Sequence, residues 1–327
     1  MSETPTSKGW RAARTVAANR YFVPLLLIVV FFGLGQLLIR GYGSLPNVGS
    51  ILAAASLVTL ATVAQVLVVL SGGDGIDLSV GAVMSMGALL GPMMATSLGP
   101  AGLVLGAAAV MALGSGFGLL SALGIRFGNT PPLIMTLIMA SVVDGFTLAT
   151  TQGQPSGTIP GALLSIGRPI VPPLSWILVL TLALMAGVGL LLSRTRIGRG
   201  LFLVGSNRRA ARLCGLPIGV TVASAYMASG AISAFAGYLL AGYSGGAMLK
   251  MASGYTLLSV AAAVIGGTKL SGGEGTIFGG FLGAVILTVL ANLLLAVNLP
   301  SGVRVFVQGV VLLLVLVAYS RGTRLRA

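Results

Sequence analysis

The sequence predicts an all-α polytopic membrane protein, and three observations support this prediction. Of the 327 residues, 56% are hydrophobic and 7% are charged, and the mean hydropathy is +1.04. Soluble domains carry about 25% charged residues, so this chain has too few to cover a water-facing surface of its size. The apolar residues come in long runs, and a helix needs roughly 20 such residues to cross a bilayer. The basic residues lie in short clusters between the runs, as they do where charge sets membrane topology.

Ten apolar runs are candidates for the spanning helices. We therefore expect about ten transmembrane helices (8–10), some of them broken or re-entrant. The eighth run is short, so it begins earlier, near Met248, or it is broken or re-entrant. The runs are Val23–Leu38, Ile51–Leu70, Leu78–Met94, Ala101–Leu123, Pro132–Ala149, Leu174–Leu192, Val220–Leu240, Tyr255–Ile265, Ile277–Leu295 and Val303–Tyr319.

The basic residues predict the orientation in the membrane. If the N-terminus is cytoplasmic and all ten runs cross, most of the 19 lysines and arginines fall on the cytoplasmic side, and both termini are cytoplasmic. The first run is longer than the core of a signal peptide, so we expect an uncleaved first span. The predicted organisation is a cytoplasmic N-terminal segment (1–20), one transmembrane domain (21–320) with a cytoplasmic loop (193–219), and a cytoplasmic tail (321–327).

Composition and motifs exclude several other functions. The net charge of +14 does not indicate a nucleic acid partner, because the basic clusters between apolar runs are explained by topology. One cysteine, Cys214, and no histidine exclude an intrachain disulfide and argue against a soft-metal site. The segments Leu70–Gly75 and Leu270–Gly275 look like the LSGGQ signature of ABC ATPases, but the chain has no phosphate-binding loop. We interpret both as Gly-rich breaks of similar shape between spans, near the cytoplasmic side.

Polar residues in or beside the apolar runs are candidates for a transport pathway. Asp77 and Ser79 stand where a span begins and can cap that helix; contact with a polar substrate and a charged gate are the alternatives. Asp144 lies inside a run, where a carboxylate is costly and often functional; an ion pair near the outer headgroups is the alternative. The pathway candidates are Gln65, Asp77, Ser79, Asp144, Gln152, Gln154 and Asn292.

The longest cytoplasmic loop contains a short helix with signals at both ends. Ser206 or Asn207 is the predicted N-cap, Gly215 follows the helix in a left-handed conformation, and Pro217 prevents continuation. A short, capped, basic helix suits docking on a partner, whereas a loop that only sets topology needs charge but no caps. The candidate docking residues are Gly198, Arg199, Gly205, Asn207, Arg208, Arg209, Ala210, Ala211, Arg212 and Gly215.

Three blocks of the sequence point to one family. They are Gly75–Gly81, with the sequence GIDLSVG; Thr195–Arg199 followed by Gly205–Gly215; and the Gly-rich Ile265–Gly275. With the spans, they resemble the ribose-type permeases of bacterial ABC importers, in the branched-chain amino acid/monosaccharide permease superfamily, over nearly the whole chain. The first block is similar to the family's sugar-branch motif, and the second resembles its ATPase-coupling loop.

The resemblance implies a multi-pass permease subunit of the bacterial inner membrane that does no bond chemistry and binds no cofactor itself. It implies a second permease subunit, identical or related, a periplasmic binding protein that delivers a monosaccharide, and a cytoplasmic ABC ATPase that binds ATP and Mg. The chain departs from the family at Asp144 and Glu274, where basic residues are more common. This departure leaves the exact substrate open and is compatible with a pair of non-identical permeases.

Two other functions remain open from the sequence. A branched-chain amino acid ABC permease is the nearest alternative, although the GIDLSVG block favours the sugar branch. An ion-coupled secondary transporter is the other, because such proteins use membrane carboxylates or broken helices, and Asp77 and Asp144 fit that pattern. The capped basic loop has no role in a secondary transporter.

Overall fold

The computed structural model describes residues 21–154, 158–310 and 313, and most of them are helical. Residues 301–310 are helical too, whereas the rest of the predicted tenth run lies, apart from residue 313, outside the described ranges, as do the N-terminal segment 1–20 and the tail 321–327. The helices are α1 (Phe22–Leu38), α2 (Leu45–Leu70), α3 (Val80–Ser97), α4 (Gly102–Phe127), α5 (Pro132–Thr151), α6 (Gly161–Leu164), α7 (Trp176–Arg194), α8 (Arg196–Ser206), α9 (Arg208–Leu213), α10 (Ile218–Ser244), α11 (Tyr255–Ile265) and α12 (Ile277–Ala296).

Seven helices of the described ranges are long and apolar enough to cross a membrane: α2, α3, α4, α5, α7, α10 and α12. Two further apolar helices, α1 and α11, are shorter. The chain is therefore a polytopic, largely helical membrane protein, as the sequence predicts. The expected number of ten spans stays a prediction.

The segment between α5 and α7 departs from the all-α prediction. It contains a two-stranded antiparallel hairpin of β1 (Pro169–Val171) and β2 (Leu174–Ser175). The strands are only three and two residues long, so the hairpin is a local connection and leaves the helical architecture unchanged.

The helix α2 forms the centre of the bundle. It packs against α7, α10, α11 and α12, and almost every residue of its second half is buried. Glycine lets other helices approach one another closely. A Cβ atom at Gly87 of α3 would meet the backbone of Ala234 in α10, and one at Gly283 of α12 would meet the backbone of Ala262 in α11. The hydrophobic effect does not drive helices together in lipid, so helix association there depends on the close packing that such small residues permit.

The connections define two ends of the bundle. The helices α7 and α10 are joined through residues 195–217, and we call the side that carries this connection the loop end. The helix α2 also finishes there, because the carbonyl of Leu70 accepts a hydrogen bond from Gly273 N (3.2 Å) beside Gly205. The opposite side, where α2 starts and α10 and α12 finish, is the far end.

Two helices begin next to each other after irregular segments. The helix α3 starts at Val80 after the nine-residue stretch 71–79, and α11 starts at Tyr255 after a series of turns. The N–H of Gly81 donates to Thr256 Oγ1 (3.0 Å), and the N–H of Ala252 donates to Ser85 Oγ (3.1 Å). The predicted helical start near Met248 is wrong, because that segment forms turns, and α11 is a short helix between two breaks.

Candidate functional site

The loop between α7 and α10 holds two helices, α8 and α9. Thr195 caps α8, because its Oγ1 atom accepts a hydrogen bond from Gly198 N (3.0 Å). A Cβ atom at Gly198 would meet the backbone of Leu191 and Leu192, so glycine permits the tight return of α8 onto α7. Sequence reasoning missed α8, although the buried Leu201 and Val204 show the three-residue spacing of an amphipathic helix.

The second loop helix, α9, has the caps that the sequence predicts. Asn207 Oδ1 accepts hydrogen bonds from the N–H groups of Arg209 and Ala210, both at 3.0 Å. Gly215 has φ +73°, in the left-handed region. Leu216 N donates to Ala211 O (3.1 Å) and Gly215 N donates to Arg212 O (3.0 Å), so the helix ends in a Schellman motif.

The two faces of α9 differ in what they contact. Ala211 is buried against the rest of the chain, with 4% of its surface exposed, so it fixes the helix to the permease. This corrects the expectation that both Ala210 and Ala211 face a partner; Ala210 is exposed. Leu213 is 85% exposed, and sequence reasoning missed it. A large apolar side chain in a polar, basic surrounding is the signal that could have revealed it.

The loop meets both Gly-rich breaks at one contact, which we call the glycine junction: Gly72, Gly205, Gly272 and Gly273. A Cβ atom at Gly72 would lie 2.7 Å from the Cα and O atoms of Gly205, and one at Gly272 would meet the backbone of Gly72. Gly72, Gly272 and Gly273 all have positive φ, between +70° and +92°. Only glycine combines this backbone conformation with such close approach, so the two similar hexamers act as matched turns around Gly205.

Arg208 adds a side-chain link at the glycine junction. Its Nη2 atom donates to the carbonyl of Gly72 at 3.0 Å. The sequence analysis places Arg208 with Arg209 and Arg212 among the docking residues. Arg208 is exposed, as are Arg209, Arg212 and the more distant Arg199, but its guanidinium hydrogen-bonds the permease itself.

The segment that follows the first Gly-rich break carries a buried carboxylate. Asp77 Oδ1 accepts from Ser79 N (2.9 Å) and from Ser79 Oγ (2.6 Å), and Ser229 Oγ of α10 donates to Asp77 Oδ2 (2.7 Å). The capping interpretation is wrong in detail for both residues. Ser79 is the N-cap residue of α3, but its side chain makes no capping hydrogen bond, and Asp77 bonds the N–H of Ser79, just outside the helix.

Two further side chains hold this segment in place. Gln65 of α2, with its amide turned to match its neighbours, donates to Asp77 O and accepts from Asp77 N, both at 3.0 Å. Thr136 of α5 accepts from Leu78 N and donates to Ile76 O, both at 3.1 Å. The N–H and carbonyl groups of Asp77, the N–H of Leu78 and the carbonyl of Ile76 therefore all have hydrogen-bond partners inside the bundle, where unpaired backbone groups would be costly.

These contacts correct part of the predicted pathway. Gln65, Asp77 and Ser79 are 0%, 3% and 4% exposed, so in this structure they are packed inside the bundle and position the segment before α3. Asp144 forms an ion pair with Lys250 (3.6 Å), as the alternative interpretation expects.

The remaining pathway candidates lie at the far end. Gln152 ends α5 in the left-handed region (φ +50°), and both Gln152 and Gln154 are exposed. Asn292, in the last third of α12, lines a cleft of ≈430 Å³. The structure therefore divides the predicted pathway residues into a buried positioning set, Gln65, Asp77 and Ser79, and a far-end set in which Gln152 and Gln154 are exposed and Asn292 is half-buried.

A bundle of apolar spanning helices that encloses a polar break is the architecture of a membrane transport protein. The family described as branched-chain amino acid transport system / permease component matches residues 47–316, and the chain belongs to it. The chain is an ABC permease subunit and not an enzyme; ATPase activity lies in a separate subunit.

Curated relatives cover nearly the whole chain. The ribose import permease protein RbsC of Escherichia coli (strain K12) is 31% identical over 317 residues, 92% of this chain and 96% of the relative. The autoinducer 2 import system permease protein LsrC of Klebsiella pneumoniae is 34% identical over 312 residues, 94% of this chain and 88% of the relative. LsrC of Yersinia enterocolitica is 32% identical over 306 residues, 93% and 83% of the two chains. No solved structure shows significant similarity to the chain.

Proposed function

We propose that this permease carries a monosaccharide across the bacterial inner membrane, powered by a cytoplasmic ABC ATPase that docks on α9. A periplasmic binding protein delivers the sugar, and a second permease subunit, identical or related, completes the pathway. ATP and Mg bind to the ATPase, and this chain binds no cofactor. The names of the relatives support the substrate class, because RbsC imports ribose and LsrC imports autoinducer 2.

The orientation proposed here places the loop end in the cytoplasm. Among the described residues, the loop end carries the arginine-rich α8 and α9, whereas the far end carries few basic residues, including Lys250 and Arg304. Positive charge is enriched in cytoplasmic loops. If all ten apolar runs cross the membrane in this orientation, both termini lie in the cytoplasm. The transmembrane domain is 21–320, with the coupling loop at 193–219 and flanking cytoplasmic segments at 1–20 and 321–327.

The glycine junction is the observation that carries the coupling proposal. Because Gly205 packs on Gly72 and Gly273 without intervening side chains, movement of the loop is transmitted directly to both Gly-rich breaks. In the sequence, the first break (Leu70–Gly75) is followed by residues 76–79, which include Asp77, and then by α3. The second break (Leu270–Gly275) is followed by α12. A rigid-body displacement of α9 by the ATPase then moves the starts of two helices, which is how packed elements convert small shifts into larger ones.

The docking surface is the exposed face of α9. It combines Arg209 and Arg212, which can make charge-assisted hydrogen bonds, with Ala210 and the exposed Leu213. An apolar anchor with polar groups around it is the usual composition of an interface centre.

Co-purification of the ATPase with the tagged permease tests the docking site. Leu213→Glu places a charge at the proposed interface centre, and we expect about 30-fold weaker binding of the ATPase and a matching loss of recovery, since loss of a central anchor costs about 2 kcal/mol. Val297→Glu at the far end, where Val297 is 45% exposed, is the matched control and should bind normally. Equal ATPase recovery with both variants would contradict docking on α9.

Uptake in cells tests the function itself. We expect uptake of a radiolabelled monosaccharide that ATP depletion abolishes and a proton-gradient uncoupler leaves unchanged while ATP is maintained. Uptake that follows the proton gradient would indicate an ion-coupled transporter. Uptake of leucine or valine, with none of any sugar, would indicate the amino acid branch.

A further inference from the structure

The cleft at the far end is built from two facing polar stripes. Thr288 and Asn292 are four residues apart on α12, and Arg304 and Gln308 are four apart on the helical residues 301–310, so each pair shares one helix face. All four line the cleft of ≈430 Å³, within the size range of small-ligand pockets, about 300–1,000 Å³.

Three of these side chains have unused hydrogen-bonding capacity. In the part of the chain that the structure describes, Thr288 donates to Ala284 O (2.8 Å), but the side chains of Asn292, Arg304 and Gln308 have no hydrogen-bond or ion-pair partner. The Oδ1 atom of Asn292 is also shielded from solvent. Unpaired polar groups are costly in a bilayer, so this set is suited to a polar occupant.

The mixture of donors and acceptors identifies the class of occupant. The two amides each present a carbonyl acceptor and an N–H donor, and the guanidinium presents donors only. A phosphate would use the donors and leave both amide oxygens without partners. The hydroxyl groups of a sugar are donors and acceptors at once, so they can satisfy all three side chains. No carboxylate lines the cleft, which makes it unsuitable for a cation.

We propose that this cleft is a transient binding site for the monosaccharide in transit, with Asn292, Arg304 and Gln308 as its hydrogen-bonding residues. This inference rests on the proposed function, because it needs a sugar that reaches the far end from a binding protein. It assigns the site to the permease itself, separate from the buried Asp77 segment and from α9.

Protection of an engineered cysteine tests the site. Ser301 lines the cleft and is exposed, so Ser301→Cys in a Cys214→Ser background reports on occupancy through its rate of labelling by a small thiol reagent. The probe is D-ribose, or whichever monosaccharide the uptake assay identifies, added to the permease–ATPase complex in nanodiscs. At a sugar concentration about ten times the dissociation constant, labelling should slow by about tenfold.

The controls separate the possible outcomes. Ser97→Cys, exposed at the end of α3 and outside the cleft, should label at the same rate with or without sugar. Adding Asn292→Ala to Ser301→Cys should remove the protection. Val305→Cys, which lines the same cleft, replaces Ser301→Cys if that variant has low membrane levels.

Two results would overturn the site without touching the proposed function. Normal ATP-driven uptake with no sugar protection of the cleft cysteine would show that the sugar does not pause there. Protection by phosphatidylglycerol in the nanodisc, with no effect of sugar, would show that a lipid headgroup is the occupant. Absence of any monosaccharide uptake would instead reject the proposed function.

Discussion

Alanine at Gly72 should uncouple ATP hydrolysis from transport. Gly72 has φ +70°, and its missing Cβ would lie 2.7 Å from the backbone of Gly205. Gly267→Ala is a close match, because Gly267 has φ +85° near the second Gly-rich break but has no atom within 4 Å of its Cβ position. The pair separates the cost of backbone conformation, which both variants share, from the cost of the contact, which only Gly72→Ala has.

The size of the destabilisation follows from the cost of the backbone conformation and the cost of the contact. A non-glycine residue in the left-handed region costs about 1–2 kcal/mol, and forcing an additional carbon into a packed contact costs about 1–3 kcal/mol. Gly72→Ala should therefore destabilise the arrangement at the junction by about 2–5 kcal/mol, against about 1–2 kcal/mol for Gly267→Ala. The difference, about 1–3 kcal/mol, shifts the equilibrium by roughly five- to 150-fold.

The assay is ATP hydrolysis by the complex in nanodiscs, with and without sugar-loaded binding protein. Gly72→Ala should keep the basal hydrolysis rate and the bound ATPase but lose stimulation by the binding protein, since α9 stays intact while its link to the first break is displaced. Gly267→Ala should keep most of the stimulation. Equal stimulation in both variants, at matched membrane levels, would refute transmission through the junction.

Three further predictions concern other contacts. Asp77→Asn should transport better than Asp77→Ala, because the remaining oxygen still accepts from Ser79 N and the amide can donate to Ser229. Activity in Asp77→Glu alone would show that the charge matters and the hydrogen bond to Ser79 N does not. Asn207→Ala should cost about 1 kcal/mol of α9 stability and weaken ATPase recovery, while Asn207→Asp restores both; equal recovery would rule out the cap. Lys250→Ala should change uptake less than about twofold, because an exposed ion pair contributes about 0–1 kcal/mol; a large loss would assign the pair with Asp144 a transport role.

Much of the fold could be predicted because its signals are local. Apolar runs, glycine and proline mark helices such as α12, whose predicted run Ile277–Leu295 agrees to one residue with the observed helix Ile277–Ala296. The caps of α9 were equally predictable, since Asn207 and Gly215 act on neighbouring backbone groups. Within the described ranges, the structure thus confirms what short stretches of sequence determine.

The glycine junction could not be predicted from the sequence. The similarity of Leu70–Gly75 and Leu270–Gly275 is visible, but their meeting at Gly205 depends on how three distant segments pack. For the same reason, Gln65 and Asp77 looked like pathway residues, since a polar residue in an apolar run is compatible with either a cavity or a buried partner. Only tertiary contacts distinguish the two, and here Ser229 is 152 positions away in the chain.

The packing of α3 against α10 has a consequence for biosynthesis. The helix α3 is the least apolar of the candidate spanning helices, and α10 is the next. Their contact through Gly87 and Ala234 shields α3 from lipid, yet α10 is synthesised about 120 residues later, roughly ten seconds at typical translation rates. During that interval α3 must remain in the translocon or pair with α4, so a chain truncated before Ile218 should be degraded even though its first helices can each insert.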